Sequence, residues 1–285
     1  MKTIMFWSYK GGSGRSVAAA NVAAALTKLG KRVAIIDLDF DAPGLHHVFG
    51  ADETPQFKKG KGIQHYLRGE TDLDVVDAEV RIDLFTDGPL QRFGPQIPAD
   101  AQLHYIMSSP KVLQVNPEKD PEVSRRMQRL LAFLEQKYDL DFTVIDAASG
   151  IREAYAVAAD ASTEMLVFFR WSRQHVEGTL QMIRYMGLLK EFGKTSIPFR
   201  LVASAAPTDR ELDGLAPDLR QDLVRLKEKT RERIQQTLLS HEIEPAEVFH
   251  EIPEMTELKW RENIRVFAPD VSPYETLAQK LIGNA

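Results

Sequence analysis

Residues 10 to 16, Lys10-Gly11-Gly12-Ser13-Gly14-Arg15-Ser16, bring three glycines, two hydroxyls and two cations into one short stretch. Glycine lets a backbone curl until successive N–H groups face a single point. When such a curl opens a helix, the partial positive charge of the helix start is added, and the result is a cradle for an anion, phosphate above all. Two further sets of residues carry matching chemistry. Asp37, Asp39 and Asp41 stand at alternate positions, where an extended chain turns side chains to one face and lets the acids converge beside the phosphates. Asp146 closes a second apolar run, Asp-Phe-Thr-Val-Ile-Asp from Asp141.

The flanking sequence supplies the elements that must hold these groups. Ile4-Met5-Phe6-Trp7 precedes the glycines and the Ala-rich segment Val17 to Leu29 follows them, in the order strand, turn, helix. Gly30 is a natural stop for that helix. Arg32 to Asp37 is a nearly continuous apolar run ending in an acid, as expected of a buried parallel strand that delivers a carboxylate to the edge of a sheet. Gly62 to Arg68 reads as a short helix, and Gln102 to Met107, Asp141 to Asp146, Glu164 to Phe169 and Pro198 to Ala203 read as strands. Asp120-Pro121 has the form of an N-cap with proline at the first helical position. From there Val123, Met127, Leu130, Leu131, Leu134 and Tyr138 recur at helical spacing. In a second long helix, Leu219 to Leu239, the spacing makes Leu219, Leu223, Leu226 and Ile234 the buried stripe. Ala51 to Lys61 and Phe85 to Asp100 read as surface loops. Strands alternating with helices predict an α/β fold: a mostly parallel twisted sheet with helices on both faces, as one domain over residues 1–285.

Composition narrows the class. The 285 residues are 44% hydrophobic and 27% charged, which suits a globular protein with a large core. There is no cysteine, so disulfides and cysteine-ligated metals or iron–sulfur clusters are excluded. No apolar run approaches the roughly 18 residues of a membrane span, Met1 to Phe6 is too short for a signal peptide, and a cytoplasmic location is the expectation. A net charge of −5 argues against a surface coated for nucleic acid.

Lysine before Gly-Gly-x-Gly resembles the deviant Walker A motif of the ParA/MinD family of P-loop ATPases. Against the ordinary P-loop, G-x-x-x-x-G-K-S/T, Tyr9 stands in place of the first glycine and Arg15 in place of the lysine. The resemblance implies ATP and Mg²⁺. Gly11, Gly12, Ser13, Gly14, Arg15, Ser16 and Val17 would hold the phosphates, and the Ser16 hydroxyl would face the metal. In that family the first lysine reaches the nucleotide of a facing subunit, which assigns Lys10 a catalytic role and implies a nucleotide-dependent homodimer. Asp-x-Asp-x-Asp-x-Pro-Gly-Leu, residues 37–45, resembles the family's switch I. It implies that Asp37 lies near the metal and that Asp39 positions the attacking water, with Asp41 a switch residue of no assigned chemistry. Asp146-Ala147-Ala148-Ser149-Gly150 resembles Walker B and switch II, with Ala148 in place of the usual proline. Asp146 would then be metal-associated and Gly150 the backbone sensor of the γ-phosphate. Gly62 to Gly69 resembles the short helix after switch I, and Ile252-Pro253-Glu254 with Leu258 the late loop that lies against the base. The asparagine that often reads adenine is absent from Val202 to Pro207, leaving Ser204 as the substitute.

Arginine keeps the charge of the P-loop lysine but is planar and bidentate, so Arg15 predicts nucleotide binding with slow hydrolysis. The readings that remain open are a switch ATPase that positions or regulates a partner protein, a nucleotide sensor with little or no hydrolysis, and an ATP-dependent non-specific DNA-binding protein. For DNA the sequence offers Lys58, Lys59 and Lys61 with the cations of Leu219 to Leu239, whose other reading is a solvated face. Tyr274 to Ala285 does not resemble a membrane anchor. Arg170-Trp171-Ser172-Arg173, after a strand, reads either as a protein interface or as a tryptophan packed beneath a loop.

Overall fold

A computed structural model describes residues 1–285 except 112, 114, 119, 152, 192–196, 244–247, 256–257, 259–262, 269–271 and 284–285. The apolar runs become β1 (Lys2–Trp7), β2 (Arg32–Leu38), β4 (Gln102–Ile106), β5 (Phe142–Ala147), β6 (Glu164–Phe169) and β7 (Phe199–Ala206), joined by β3 (Arg81–Asp83) and β8 (Val248–Pro253). They form one sheet in the order β3-β4-β2-β5-β1-β6-β7-β8. Every pairing is parallel except β3 with β4. All six residues of β5 and of β6 are buried. Because successive side chains point to opposite faces, such strands require cover on both sides.

Helices α1 (Arg15–Lys28), α2 (Leu45–Phe49), α3 (Pro55–Lys58), α4 (Ile63–Leu67), α5 (Leu73–Val75), α6 (Glu122–Tyr138), α7 (Glu153–Asp160), α8 (Arg173–Glu191), α9 (Asp209–Asp213) and α10 (Pro217–Ser240) provide that cover, with a further helix at Pro273–Gly283. α1 is buried almost all round. Its alanines permit this, since small side chains let it lie close to the sheet on one side and to helix Pro273–Gly283 on the other. Gly30 (φ 83°) ends the connection out of it in the left-handed region that glycine favours. α6 buries Val123, Met127, Leu130, Leu131 and Leu134 as its spacing predicts. Its start differs slightly: Pro121 is the cap position, and the Asp120 carboxylate accepts from Glu122 N at 3.0 Å.

Three expectations are corrected. The buried stripe of α10 is Thr230, Ile234 and Leu238, whereas Leu219, Leu223 and Leu226 are 54%, 36% and 49% exposed. A helix of 24 residues is about 36 Å long, longer than the strands beneath it, so its first half runs past the sheet. Ala51 to Lys61 is not wholly loop: Thr54 caps α3, its hydroxyl accepting from Phe57 N. The three lysines there are paired, Lys58 with Glu53 at 2.7 Å and Lys59 and Lys61 with Glu79 at 3.5 and 2.5 Å. Phe85 to Asp100 contains a 3₁₀ turn over Gln91–Gln96.

Leu238 is fully buried and Leu219 is not, so the two ends of α10 should respond differently to truncation. Leu238→Ala is expected to cost about 3 kcal/mol in urea unfolding, and Leu219→Ser to stay within about 0.5 kcal/mol of the parent. Equal losses would mean that the first half of α10 is covered.

Candidate functional site

Strand register brings the acids together. In the parallel pair β2–β5, Asp37 lies beside Asp146, and in β1–β5 Phe6 lies beside Asp146. The glycine loop that follows β1 therefore passes next to both carboxylates at the carboxyl edge of the sheet, where ligands of such folds gather.

The loop has the curl its glycines predict. Gly12 and Gly14 have φ of 74° and 73°, the left-handed region that side chains disfavour. Gly14 is the cap of α1 and has no side chain to spend on the helix start, so the first-turn N–H groups remain available to an anion. The second loop closes against this one. Gly150 (φ 79°) donates its N–H to the Ser8 carbonyl at 2.9 Å, and the Trp7 indole donates to the Gly150 carbonyl at 3.0 Å. Ser13 is buried, and its carbonyl accepts from the Ser204 hydroxyl, which also lies 3.3 Å from the Phe169 carbonyl. Ser204 thus lines the cavity described below with its one proton already given to backbone.

Arg15 is turned to the acids. Its Nε donates to Asp146 Oδ1 at 2.6 Å, and its Nη2 donates to Asp39 Oδ2 at 2.8 Å and to Ser16 Oγ at 3.2 Å. The side chain is 7% exposed, and Asp39 14%. Burial opposes the charge, but the carboxylates of Asp146 and Asp39 hold the guanidinium above its already high pKa. Asp37 and Asp146 are fully buried. Burial pushes Asp37 well above the carboxylate range, and the charge of Asp146 adds to this. Asp146 is raised by burial too, with Arg15 opposing. Asp37 Oδ1 accepts from Asp39 N at 3.0 Å and Asp39 Oδ1 from Ala42 N at 3.2 Å, which fixes the turn that follows β2. Asp41 is exposed.

The oxygen set suits a divalent metal. Asp37 Oδ2 and Asp146 Oδ2 are buried and make no close hydrogen bond among the described residues, the hydroxyls of Tyr105 and Ser16 being their polar neighbours, and a hydroxyl with two carboxylates is the donor type that Mg²⁺ takes. Ser16, Asp37 and Asp146 fit the metal on that ground.

Beside the loop lies a cavity of about 190 Å³, lined among others by Gly12, Gly14, Val17, Arg170, Ser204 and Pro253. It is smaller than the roughly 300–1,000 Å³ of whole-ligand sites, and Gly12 and Gly14 make it continuous with the glycine loop. Pro253 enters it as the last residue of β8, an edge strand the sequence did not announce. Ala205 holds φ 48° on the same wall, at an irregularity in the β7–β8 register. Backbone in that region is strained for alanine and clusters at binding sites. A larger cavity, about 610 Å³, lies under α10 between Leu201, Ile234, Leu239 and Val248, away from the glycine loop and the acids.

Lys10 is half-buried at the mouth of the loop, its Nζ 5.8 Å from the centre of the Tyr9 ring. Burial, and then the charges of Arg170 and Lys10, hold His175 below its ordinary pKa. Arg170 lines the cavity beside the loop. Trp171 packs edge-on to Phe169 at 5.2 Å with Lys227 and Arg231 over its ring, which is the packing alternative. Of the α10 cations, Arg220 pairs with Asp213, Lys227 and Arg231 with Glu251, and Arg233 with Glu177. That is the solvated face.

The buried charges make opposite predictions for two neighbouring acids. Asp37→Asn removes the cost of burying a carboxylate, and one beside Asp146, and is expected to raise stability by about 1 kcal/mol without divalent metal, whereas Asp146→Ala takes a buried partner from Arg15 and should cost about 3 kcal/mol. Urea unfolding in a chelator measures both. A loss on Asp37→Asn as large as that on Asp146→Ala would contradict this charge arrangement.

Comparison with known proteins agrees with the geometry. MinD, a septum site-determining protein of Synechocystis, is 26% identical over 198 residues, covering 69% of this chain and 63% of that protein. This chain therefore spans less than two thirds of that relative's length. Two solved structures share the fold. A putative plasmid partition protein of Borrelia burgdorferi bound to AMPPNP has a TM-score of 0.68 at 18% identity, over 100% of this chain and 99% of the other. The MinC:MinD complex of Aquifex aeolicus gives 0.63 at 18%, over 100% and 97%. The CobQ/CobB/MinD/ParA nucleotide binding domain matches residues 4–264, and the chain belongs to that family, as a P-loop NTPase of the ParA/MinD kind.

Proposed function

We propose that the chain acts as one unit, an ATP-binding switch of the ParA/MinD type that dimerises with nucleotide, hydrolyses it slowly and positions or regulates a protein partner in the cytoplasm. The observation that carries this is the meeting of a left-handed glycine cradle at the start of α1 with Asp37, Asp39 and Asp146 on adjacent strand ends. Gly11 to Val17 bind the phosphates through backbone N–H groups and Ser16. Pro253 and its neighbours seat the base. Mg²⁺, when bound by Ser16, Asp37 and Asp146, neutralises phosphate charge. Asp39, held at the turn by Ala42 N, orients the attacking water, and Gly150, tied to Ser8 and Trp7, follows the γ-phosphate.

Lys10 has no carboxylate partner among the described residues and stands at the mouth rather than inside the loop. Its target is the nucleotide of a facing copy, which couples assembly to nucleotide state. The MinC:MinD neighbour supports a protein as the partner. Among the described residues the loop lysines and most α10 cations are paired, which gives DNA binding little support. A second reading, a sensor with little hydrolysis, is favoured by one observation: Arg15 is committed to carboxylates rather than extended toward phosphate.

Gly14→Val should abolish ATP binding in calorimetry, because a β-branched residue resists φ 73° and covers the N–H groups that meet phosphate. Circular dichroism distinguishes this from unfolding, and a folded variant that binds ATP as the parent does would remove the site assignment. Asp39→Ala should slow hydrolysis and accumulate a dimer with Mg·ATP, and adding Lys10→Ala should weaken that dimer while nucleotide stays bound. Light scattering with ATP and ADP reads the outcome. One unchanging mass in every nucleotide state would favour the sensor.

A further inference from the structure

The Arg15 guanidinium sits among groups that would hold a metal. Its Nε and Nη2 reach Asp146 Oδ1, Asp39 Oδ2 and Ser16 Oγ at 2.6, 2.8 and 3.2 Å, and two of these three groups, Asp146 and Ser16, are ones assigned to the metal. A lysine would bring a single ammonium on a flexible stem. The guanidinium fork spans two carboxylates on different segments at once, and it does not lose its proton. Asp146 and Asp39 are therefore charge-compensated before any ion arrives. A divalent cation entering beside Asp37 Oδ2 and Asp146 Oδ2, which make no close hydrogen bond among the described residues, meets a like charge at close range in a poorly solvated site. It must also detach a buried guanidinium from its partners, which is costly unless those partners are taken over at the same time.

We propose that Arg15 sets the metal requirement of this site: its guanidinium stands in for the divalent cation while nucleotide binds, and metal enters only by turning Arg15 out. The inference rests on the nucleotide reading of the cradle. The metal thereby becomes a second, later input to the switch. Arg15→Lys, which keeps the charge but gives up the fork, returns the site to simultaneous binding of metal and nucleotide.

Two measurements test this on the full chain. The affinity for a non-hydrolysable ATP analogue is read by calorimetry in EDTA and in Mg²⁺, for the parent and for Arg15→Lys. Mn²⁺ binding is read by electron paramagnetic resonance, with and without the analogue. The parent should bind the analogue about equally in EDTA and in Mg²⁺, within roughly threefold, while Mg²⁺ should strengthen binding to Arg15→Lys by about tenfold or more. Mn²⁺ should bind Arg15→Lys about tenfold more tightly than the parent. Equal Mn²⁺ affinities, or a parent that depends on Mg²⁺ as strongly as the variant, would overturn the proposal. If Arg15→Lys fails to fold, the parent decides alone, because a tenfold gain from Mg²⁺ there overturns it. If neither form binds nucleotide in any condition, the cradle reading fails, and the Mn²⁺ comparison without nucleotide still decides the role of Arg15.

Discussion

The structure turns on one electrostatic constraint: Asp37 and Asp146 are buried side by side at the carboxyl edge of a parallel sheet. Two such carboxylates cannot both stay charged without a cation or a dense set of donors. Arg15 answers part of that demand through Asp146 and Asp39, and a backbone N–H answers another part at Asp37 Oδ1. Two oxygens, Asp37 Oδ2 and Asp146 Oδ2, make no close hydrogen bond among the described residues. A protein selected for stability alone would replace these acids by apolar residues. Their presence, on strands that are otherwise almost wholly apolar, marks the edge as built for a ligand that brings its own charges.

The surrounding architecture follows from placing this group. β1 must be central for the loop after it to pass both acids, and β5 and β6 flank it. α1 must lie flat on the sheet for its start to face the same point, and its alanines allow that. Gly150 must meet Ser8 and Trp7 so that the second loop feels the first. The cavity between Gly12, Arg170 and Pro253 then extends the glycine loop toward β7 and β8.

Much of this was legible in the sequence because parallel strands buried on both faces are plain apolar runs, and because a glycine-rich turn between strand and helix has few other uses. Arg32 to Asp37 and Asp141 to Asp146 announced both the strands and their acids. α10 misled for a physical reason: leucines at helical spacing show which residues share a face but not whether anything covers it, and Leu219, Leu223 and Leu226 share a face that is open. β3 and β8 are edge strands, short or partly polar, with no long run to give them away. The direction of Arg15 was not legible at all. Its place in the glycine loop suggested a phosphate ligand, and only the register that brings the ends of β2 and β5 together draws it inward to Asp39 and Asp146. The same limit applied to Lys58, Lys59 and Lys61, whose acid partners include Glu79, distant in sequence.

The central claim is that nucleotide phosphate is held by the backbone of the glycine loop at the start of α1. Hydrogen exchange by mass spectrometry, with and without ATP, reads those amides directly. Peptides covering residues 11–17 should gain protection when ATP is added, with a smaller gain over 37–42, while residues 217–226 of α10 stay unchanged in the monomer. Protection confined to the cavity under α10, or none in residues 11–17 under saturating ATP, would contradict the account.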